Sequence, residues 1–356
     1  MEPVSLDKAD RRILAELDKN CRISNAQLAR KVRKSREAVK YRIQQLQEKG
    51  VLLRFISSIN PNKLGYRMFK VYLKLENIPK ERERFFEELK HNRDIYWMGI
   101  SDGAFDCVFA ILSHDVTDYF EKINALLSRY KHLVVSKVLG TMVDTTQYNK
   151  KFFTAETDGI PLVVGGDTVD NQVDNLDLAI LTILANDARI PLAQLARKVG
   201  SSMETVRSRM RRMEEKEIIL SYRIDVDFNK LGLEFFKAII YFRELSRQDE
   251  KALFEWMRMH PSSLYAIRSL APWEVEFEFA VESYQQFNSI INEMRGRFPH
   301  VIRNYEHLIM IEERWMPAYK EMLKARTVGA RKEKGKKEKA EEKPWADFRS
   351  AAATDR

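Results

Sequence analysis

Two segments of the chain share a helical pattern with one polar, mostly cationic face. They read "SREAVKYRIQQL" (35–46) and "SMETVRSRMRRM" (202–213). With Val39 and Val206 turned to a core, steps of 100° per residue place the polar side chains on the outside. Side chains of these types bind DNA phosphates and base-pair edges. The candidate contact residues are Ser35, Arg36, Lys40, Tyr41, Arg42, Gln44, Ser202, Arg207, Ser208, Arg209, Arg211 and Arg212.

Position along each helix predicts the role of each side chain. Base contacts are expected near the helix N-termini, from Arg36, Lys40, Tyr41 and Arg207. Arg42 and Arg209 lie on the flanks and are expected to hold phosphates. A further phosphate is expected at the backbone N–H groups of the helix N-terminus that begins at Ser35 or Ser202.

The two segments belong to an internal duplication. "AQLARKV" occurs at 26–32 and again at 193–199, and the two copies align without a gap over about 60 positions, with about four in ten identical. The outward faces nevertheless differ, because Ser208 replaces Tyr41 and Arg211 replaces Gln44. Two related but unequal faces predict an imperfectly palindromic DNA target, with more of the salt dependence carried by the second copy.

Each copy begins with three short helical patterns. In the first copy, Asp7 and Ser24 stand at N-cap positions, and the third helix is expected to start at Ser35. Gly200 provides a helix stop between the second and third helices of the second copy. Three helices with a tight break before the third are the outline of a helix-turn-helix, and the strand-like segment that follows predicts a wing.

The remainder of each copy alternates strands and helices in the order β-α-β-β-α-β, which predicts a ferredoxin-like domain. The fold class is therefore α+β, with two winged helix-turn-helix domains alternating with two ferredoxin-like domains as a pseudo-dimer in one chain. The predicted boundaries are helix-turn-helix domains at 1–60 and 173–228, ferredoxin-like domains at 61–153 and 229–325, a flexible linker at 154–172 and a charged disordered tail at 326–356.

Composition narrows the class of protein. The 356 residues include 61 Lys and Arg against 52 Asp and Glu, a net charge of +9 that favours an anionic partner. No run of apolar residues is long enough for a membrane span, and the first residues lack a signal-peptide core, so we expect a cytoplasmic protein without membrane contact.

Sequence patterns for catalysis or cofactor binding are not evident. The six histidines are scattered without the spacing of a zinc site, and no glycine-rich phosphate loop occurs. We therefore predict no catalytic residues, no metal and no cofactor.

The quoted motifs resemble the Lrp/AsnC family of prokaryotic transcription regulators, over nearly all of 6–310 and in both copies. The resemblance implies a sequence-specific regulator that binds double-stranded DNA. It also implies a small effector such as an amino acid, bound at the family's RAM domain near "GAFD", through Gly103, Phe105 and Asp106. Ordinary members dimerise through this domain, so the chain resembles a covalent dimer, and the sequence leaves further association of chains open.

An enzyme alternative shares the same fold. Sirohaem decarboxylases of haem biosynthesis resemble this arrangement, and some are fused pairs with a His-Asn-Tyr-x-Arg run on the second strand of the RAM domain. The matching stretches here are "DIYWMGIS" (94–101) and "SSLYAIRS" (262–269), in which only Tyr265 and Arg268 correspond. Neither stretch contains a histidine, which favours the regulator.

Overall fold

The computed structural model describes residues 3–154 and 160–315. Its helices are α1 (Lys8–Lys19), α2 (Asn25–Val32), α3 (Arg36–Glu48), α4 (Pro79–His91), α5 (Val116–Leu127), α6 (Asn175–Leu184), α7 (Leu192–Lys198), α8 (Met203–Glu215), α9 (Arg247–Met259) and α10 (Tyr284–Arg297). Its strands are β1 (Leu52–Ile59), β2 (Arg67–Leu75), β3 (Ile95–Gly103), β4 (Cys107–Ser113), β5 (Val134–Gln147), β6 (Leu162–Gly165), β7 (Ile219–Val226), β8 (Glu234–Phe242), β9 (Ser263–Leu270), β10 (Val275–Val281) and β11 (Ile302–Trp315). The α+β class and the order of elements in both copies are confirmed.

The helix boundaries follow from local hydrogen bonding. A capping box closes the N-terminus of α1, with Asp7 as the N-cap residue, and Ser24 forms a second one on α2. The break before α3 passes through the left-handed region at Arg33 (φ 53°), and the break before α8 does so at Gly200 (φ 65°). Glycine adopts this conformation without a steric penalty, so the second copy has the less strained turn.

The strand that follows each third helix pairs with its counterpart in the other copy. Strand β1 pairs antiparallel with β7, so each helix-turn-helix domain contributes one strand to a ribbon shared by both. Two reciprocal contacts reinforce the ribbon: Arg22 donates to the carbonyl of Ala188 at 2.6 Å, and Arg189 donates to the carbonyl of Cys21. A lone strand would leave its backbone groups unpaired, and the second copy supplies the partner. We call the two domains and this ribbon the paired heads.

The ferredoxin-like domains close into one ring of strands. Eight strands are hydrogen-bonded in the order β2-β4-β3-β11-β8-β10-β9-β5, and β5 returns to β2. The copies meet at two antiparallel pairs, β3 with β11 and β5 with β9. The apolar side chains of α4 and α5 cover the outside of one half, and those of α9 and α10 cover the other. The inner strand faces of both halves enclose a shared interior, so this unit is a closed barrel.

The predicted linker contains ordered structure in its described part. Strand β6 pairs with β5, and the side-chain amides of Asn60 and Asn62 donate to the carbonyls of Gly165 and Gly166. These contacts tie the segment to the first copy. Residues 155–159, the end of the second ferredoxin-like domain from 316 and the predicted charged tail lie outside the described residues.

The described helices include none with the length and apolar character needed to cross a membrane. Nor do the described residues bring three or more His, Cys, Asp or Glu side chains into an arrangement suited to a metal ion.

Candidate nucleic-acid interface

Helices α3 and α8 turn the predicted faces outward. Val39 and Val206 are fully buried in the cores of the two heads. The opposite faces are exposed to solvent: Arg36, Lys40, Tyr41 and Gln44 on α3, and Arg207, Ser208 and Arg211 on α8. Tyr41 is 63% exposed, which is unusual for an aromatic side chain without a partner. The structure therefore collects the expected base-contacting residues on two solvent-facing surfaces, which we call the reading faces.

Several cations on the reading faces are not engaged within the protein. Among the described residues, no carboxylate forms an ion pair with Arg36, Lys40 or Arg207. Arg211 pairs with Glu215 one turn further on, at 2.9 Å, but its side chain is 80% exposed. Exposed pairs of this kind contribute little free energy, so a phosphate could replace Glu215 at small cost.

Arg42 and Arg209 form ion pairs with carboxylates of the same head. Arg42 donates to Asp7 and Asp10 at the N-terminus of α1, both at 2.7 Å. Arg209 makes the equivalent contacts with Asp174 and Asp177 at the start of α6. The backbone N–H of Asp10, together with Arg42, lowers the pKa of Asp7 below its usual range. Each arginine thus holds the third helix against the first helix of the same head. A DNA phosphate that binds the same guanidinium would compete with these carboxylates.

Arg212 is engaged in the same way, through an ion pair with the fully buried carboxylate of Asp177. On α3, the amides of Gln44 and Gln45 donate to the two oxygens of Glu48 at 2.8 Å and 2.7 Å. Gln44 keeps its exposed position, whereas Arg212 is held at the edge of its reading face. The difference in free positive charge between the two faces is therefore smaller than the sequence predicts, because Arg212 is neutralised by Asp177.

Ser35 and Ser202 cap the third helices. The hydroxyl of Ser35 accepts from the backbone N–H of Ala38 at 3.1 Å, and that of Ser202 accepts from Thr205 at 3.0 Å. Both serines are exposed. The first turn of each helix therefore lies at the surface, where its remaining N–H groups and the positive end of the helix dipole favour an anion.

Helical-face analysis missed two cations that precede α3. Arg33 and Lys34 are exposed in the turn between α2 and α3, next to the first turn of the reading helix. The run "RKSR" (33–36) places these two cations directly before the helix, but a helical wheel includes only residues after the N-cap and therefore leaves them out. Gly200 and Ser201 take these positions in the second copy. The cations of the first head therefore concentrate at the helix N-terminus.

The predicted effector residues form the β3–β4 hairpin. Gly103 has φ of 112°, and a Cβ there would lie 2.4 Å from the carbonyl oxygen of His307, so only glycine fits. The carboxylate of Asp106 accepts from the backbone N–H of Leu75 at 2.8 Å. Phe105 is buried against Tyr72 and Trp273. Gly103 and Asp106 therefore stabilise the hairpin, and Phe105 packs inside the barrel.

The residues that correspond to the decarboxylase run are also engaged. Arg268 pairs with Asp144 and, at 3.0 Å, with Glu250. The hydroxyl of Tyr265 accepts from the amide of Gln147 at 3.0 Å. The guanidinium of Arg268 is thus already neutralised by two carboxylates of the protein.

Comparison with known proteins places this geometry in a family. Residues 6–52 match the winged helix-turn-helix DNA-binding family, and residues 173–214 match the AsnC-type helix-turn-helix domain. The chain is 29% identical over 146 residues to the proline dehydrogenase transcriptional activator of Rhodobacter capsulatus. The aligned region covers 40% of this chain and 95% of that protein. It is 32% identical over 111 residues to the transcriptional regulator Ptr1 of Methanocaldococcus jannaschii, covering 31% of this chain and 74% of that one.

A solved structure matches the whole duplicated arrangement. The siroheme decarboxylase NirDL in complex with an iron-uroporphyrin III analogue aligns with a TM-score of 0.61 over 91% of this chain and 100% of that one. Its sequence identity is 10%, so the likeness is one of fold. The matched domains and the similarity to Ptr1 identify the family: the chain belongs to the Lrp/AsnC family of transcription regulators, with two units of that family joined in one polypeptide.

Proposed function

We propose that the chain is a sequence-specific DNA-binding regulator whose two reading faces enter the major groove of one duplex. The observation that carries this proposal is the pair of exposed helices, each capped by a serine. Among the described residues, Arg36 and Lys40 on α3 and Arg207 on α8 have no carboxylate partner, and Arg211 on α8 has only an exposed one. Because β1 and β7 form one ribbon, the two faces are held in a fixed relation. A fixed relation selects one spacing between half-sites.

The two faces divide the work of binding unequally. Phosphate contacts supply affinity, and contacts to base edges supply sequence choice. On α3 the exposed set combines Arg36 and Lys40 with Tyr41 and Gln44, so it offers amide and aromatic contacts beside its charges. On α8, Arg207 and Arg211 flank the short side chain of Ser208, so that face is mainly cationic. The target is therefore an imperfect palindrome.

The experiment is a salt titration of DNA binding. The target is first selected as bound fragments from genomic DNA, and the variant Arg207→Ala/Arg211→Ala is then compared with the parent. Each lost phosphate contact lowers the slope of log affinity against log salt by about one. The matched control Arg247→Ala/Lys251→Ala removes two exposed cations from α9, on the outside of the barrel. Equal slopes for both variants, or no enriched sequence in the selection, would contradict the proposal.

Effector control is a finer part of the same proposal. We infer from the family resemblance that a small effector such as an amino acid binds at the β3–β4 hairpin with Gly103, Phe105 and Asp106. The second copy has "APWE" (271–274) at the corresponding hairpin, so this site belongs to the first copy alone. Calorimetric titration of the twenty amino acids, repeated with Asp106→Asn, tests it: binding that the variant retains would place the effector elsewhere.

Enzyme activity is the second candidate, and the whole-chain likeness to NirDL favours it. The engaged Arg268 and the absence of a histidine from 262–269 weigh against it. Anaerobic incubation with sirohaem, followed by mass spectrometry, decides the matter. Loss of carboxyl groups from the tetrapyrrole would establish the enzyme, and an unchanged mass would leave the regulator.

A further inference from the structure

A cavity lies between the paired heads and the open end of the barrel. Its volume is about 190 Å³. Strands β1 and β7 of the ribbon form one wall, and inward-facing side chains of the barrel form the other. Most of the wall is apolar, with Ile56, Met142 and Ile267 among its residues. An apolar cavity of about 150 Å³ accommodates benzene, so this cavity has room for a ring the size of benzene that carries a short substituent.

The charges in the wall are paired with one exception. Arg54 binds Asp225 at 2.6 Å, and Lys70 binds Glu276 at 2.9 Å. Lys150 binds Asp18 at 2.9 Å, and the carboxylate of Glu278 is paired with Lys237. Every cation of the wall therefore has a carboxylate partner.

Glu313 is the exception. Its carboxylate accepts from the indole N–H of Trp97 at 2.7 Å, and no described cation forms an ion pair with it. Burial, followed by the negative charge of Glu278, raises the pKa of Glu313 to about 8, with Asp225 adding to the effect and Trp97 and Lys237 opposing it. An added positive charge beside Glu313 would complete the pairing of the wall.

A second group in the wall also lacks a partner. Ser57 lies on β1 and is 7% exposed, and its hydroxyl has no hydrogen-bond partner among the described residues. A buried hydroxyl without a partner is costly, so it favours a ligand that supplies a donor or an acceptor. An ammonium group donates hydrogen bonds, which both a hydroxyl oxygen and a carboxylate accept.

The cavity also has an entrance. Arg54, Asp225 and Glu313 line both the cavity and a wider surface cleft between the paired heads and β11. Beside Glu313, the cleft wall carries four carboxylates, from Glu87, Asp225, Asp227 and Glu312, against three permanent cations, from Arg54, Lys90 and Arg314. In a chain with a net charge of +9, this locally acidic cleft attracts cations.

We propose that this cavity binds a small organic monocation, an ammonium group on an apolar body about the size of a benzene ring, with Glu313 as its counter-ion. The site is separate from the hairpin of Gly103 to Asp106 and does not depend on DNA binding. Its walls come from both the heads and the barrel, so the ligand would contact both parts of the molecule.

The test uses benzylamine, the isosteric neutral benzyl alcohol, and benzoate, in calorimetric titrations of the full chain at pH 7. Benzylamine should bind at least tenfold more tightly than benzyl alcohol, and benzoate should not bind. Because Glu313 must ionise, benzylamine binding should release close to one proton, measured by repeating the titration in buffers of different ionisation enthalpy. Equal affinity for amine and alcohol, preference for benzoate, or no binding of benzylamine would overturn the proposal.

Two variants locate the site. Glu313→Gln should abolish both the preference for the amine and the proton release, whereas Glu312→Gln removes a neighbouring carboxylate that already pairs with Arg314 and should change neither. If Glu313→Gln does not fold, Trp97→Phe replaces it: loss of the indole N–H should move the pH of half-maximal benzylamine affinity upward. Unchanged amine preference in Glu313→Gln, or an unmoved pH midpoint in Trp97→Phe, would refute the assignment.

Discussion

The buried charges of the barrel interior support a quantitative prediction about Glu276. This carboxylate is fully buried and binds Lys70 at 2.9 Å and Lys237 at 2.5 Å, and the hydroxyl of Tyr72 donates to it. Lys237 also pairs with Glu278. Two buried ammonium groups thus face two buried carboxylates, and the cluster is neutral. Glu276→Gln preserves the shape of the side chain but leaves the cluster with one excess positive charge.

The magnitude follows from that excess charge. Removing one partner of a buried ion pair costs about 3–5 kcal/mol, because the other charge stays desolvated. Burial already lowers the pKa of Lys70 to about 8, and the charge of Glu276 is the main influence that opposes this shift. At about 2 °C per kcal/mol for a protein of this size, the melting temperature of Glu276→Gln should fall by about 6–10 °C at pH 7.

A double-mutant cycle separates charge from shape. Lys70→Met alone leaves one excess negative charge and should also destabilise the protein. The double variant Lys70→Met/Glu276→Gln restores neutrality, so its melting temperature should lie within about 4 °C of the parent, far above the sum of the single effects. Scanning fluorimetry measures all four proteins. Additive losses, or a parent-like melting temperature for Glu276→Gln, would refute the reasoning.

Two further predictions concern the heads and the cavity. Arg42→Ala should lower the free energy of unfolding by about 1 kcal/mol in a denaturant titration, because α3 loses its contacts with Asp7 and Asp10, whereas Lys40→Ala should leave stability unchanged and weaken only DNA binding. Glu313 has a pKa raised to about 8, so its stabilising effect is complete below the unfolded value near 4.5 and is lost as the pH rises through 8. Relative to the parent, Glu313→Gln should therefore gain roughly 2–4 kcal/mol of stability between pH 5 and pH 8.5, measured by denaturation at both pH values.

Local features of the fold were predictable from the sequence. These features are the left-handed turn at Gly200 and the burial of Val39 and Val206. Each depends on residues a few positions apart, so a short stretch of sequence is enough to predict it. The reading faces follow from the same periodicity. Their exposure is a local property of two capped helices.

Contacts between segments that are distant in the sequence were not predictable in the same way. Arg42 lies on the flank of a helical wheel, and only the packing of α3 beside α1 reveals that it binds Asp7 and Asp10. Lys70 follows the period-two alternation of a strand with a polar outer face, yet the second copy covers that face. The ribbon of β1 and β7 was not predictable for the same reason: the partner of each strand lies in the other copy.

The buried cluster also indicates why the two units are fused. Lys70 and Lys237 occupy equivalent positions on β2 and β8, opposite Ala110 and Glu278 respectively. The first copy has Val108 and Ala110 where the second has Glu276 and Glu278, so both buried carboxylates come from the second copy. A symmetric pair of first copies would bury two lysines without counter-ions, and the chain therefore depends on having one unit of each kind.

The most direct test of DNA recognition by the two reading faces exchanges one face for the other. The variant replaces five residues of α3 with those at the same positions of α8, through Arg36→Met, Lys40→Arg, Tyr41→Ser, Gln44→Arg and Gln45→Arg. Parent and variant then select binding sites from random DNA. We expect an imperfect palindrome for the parent and, for the variant, a symmetric site made of two copies of one parental half. The same selected sequence for both proteins, or none for either, would contradict this expectation.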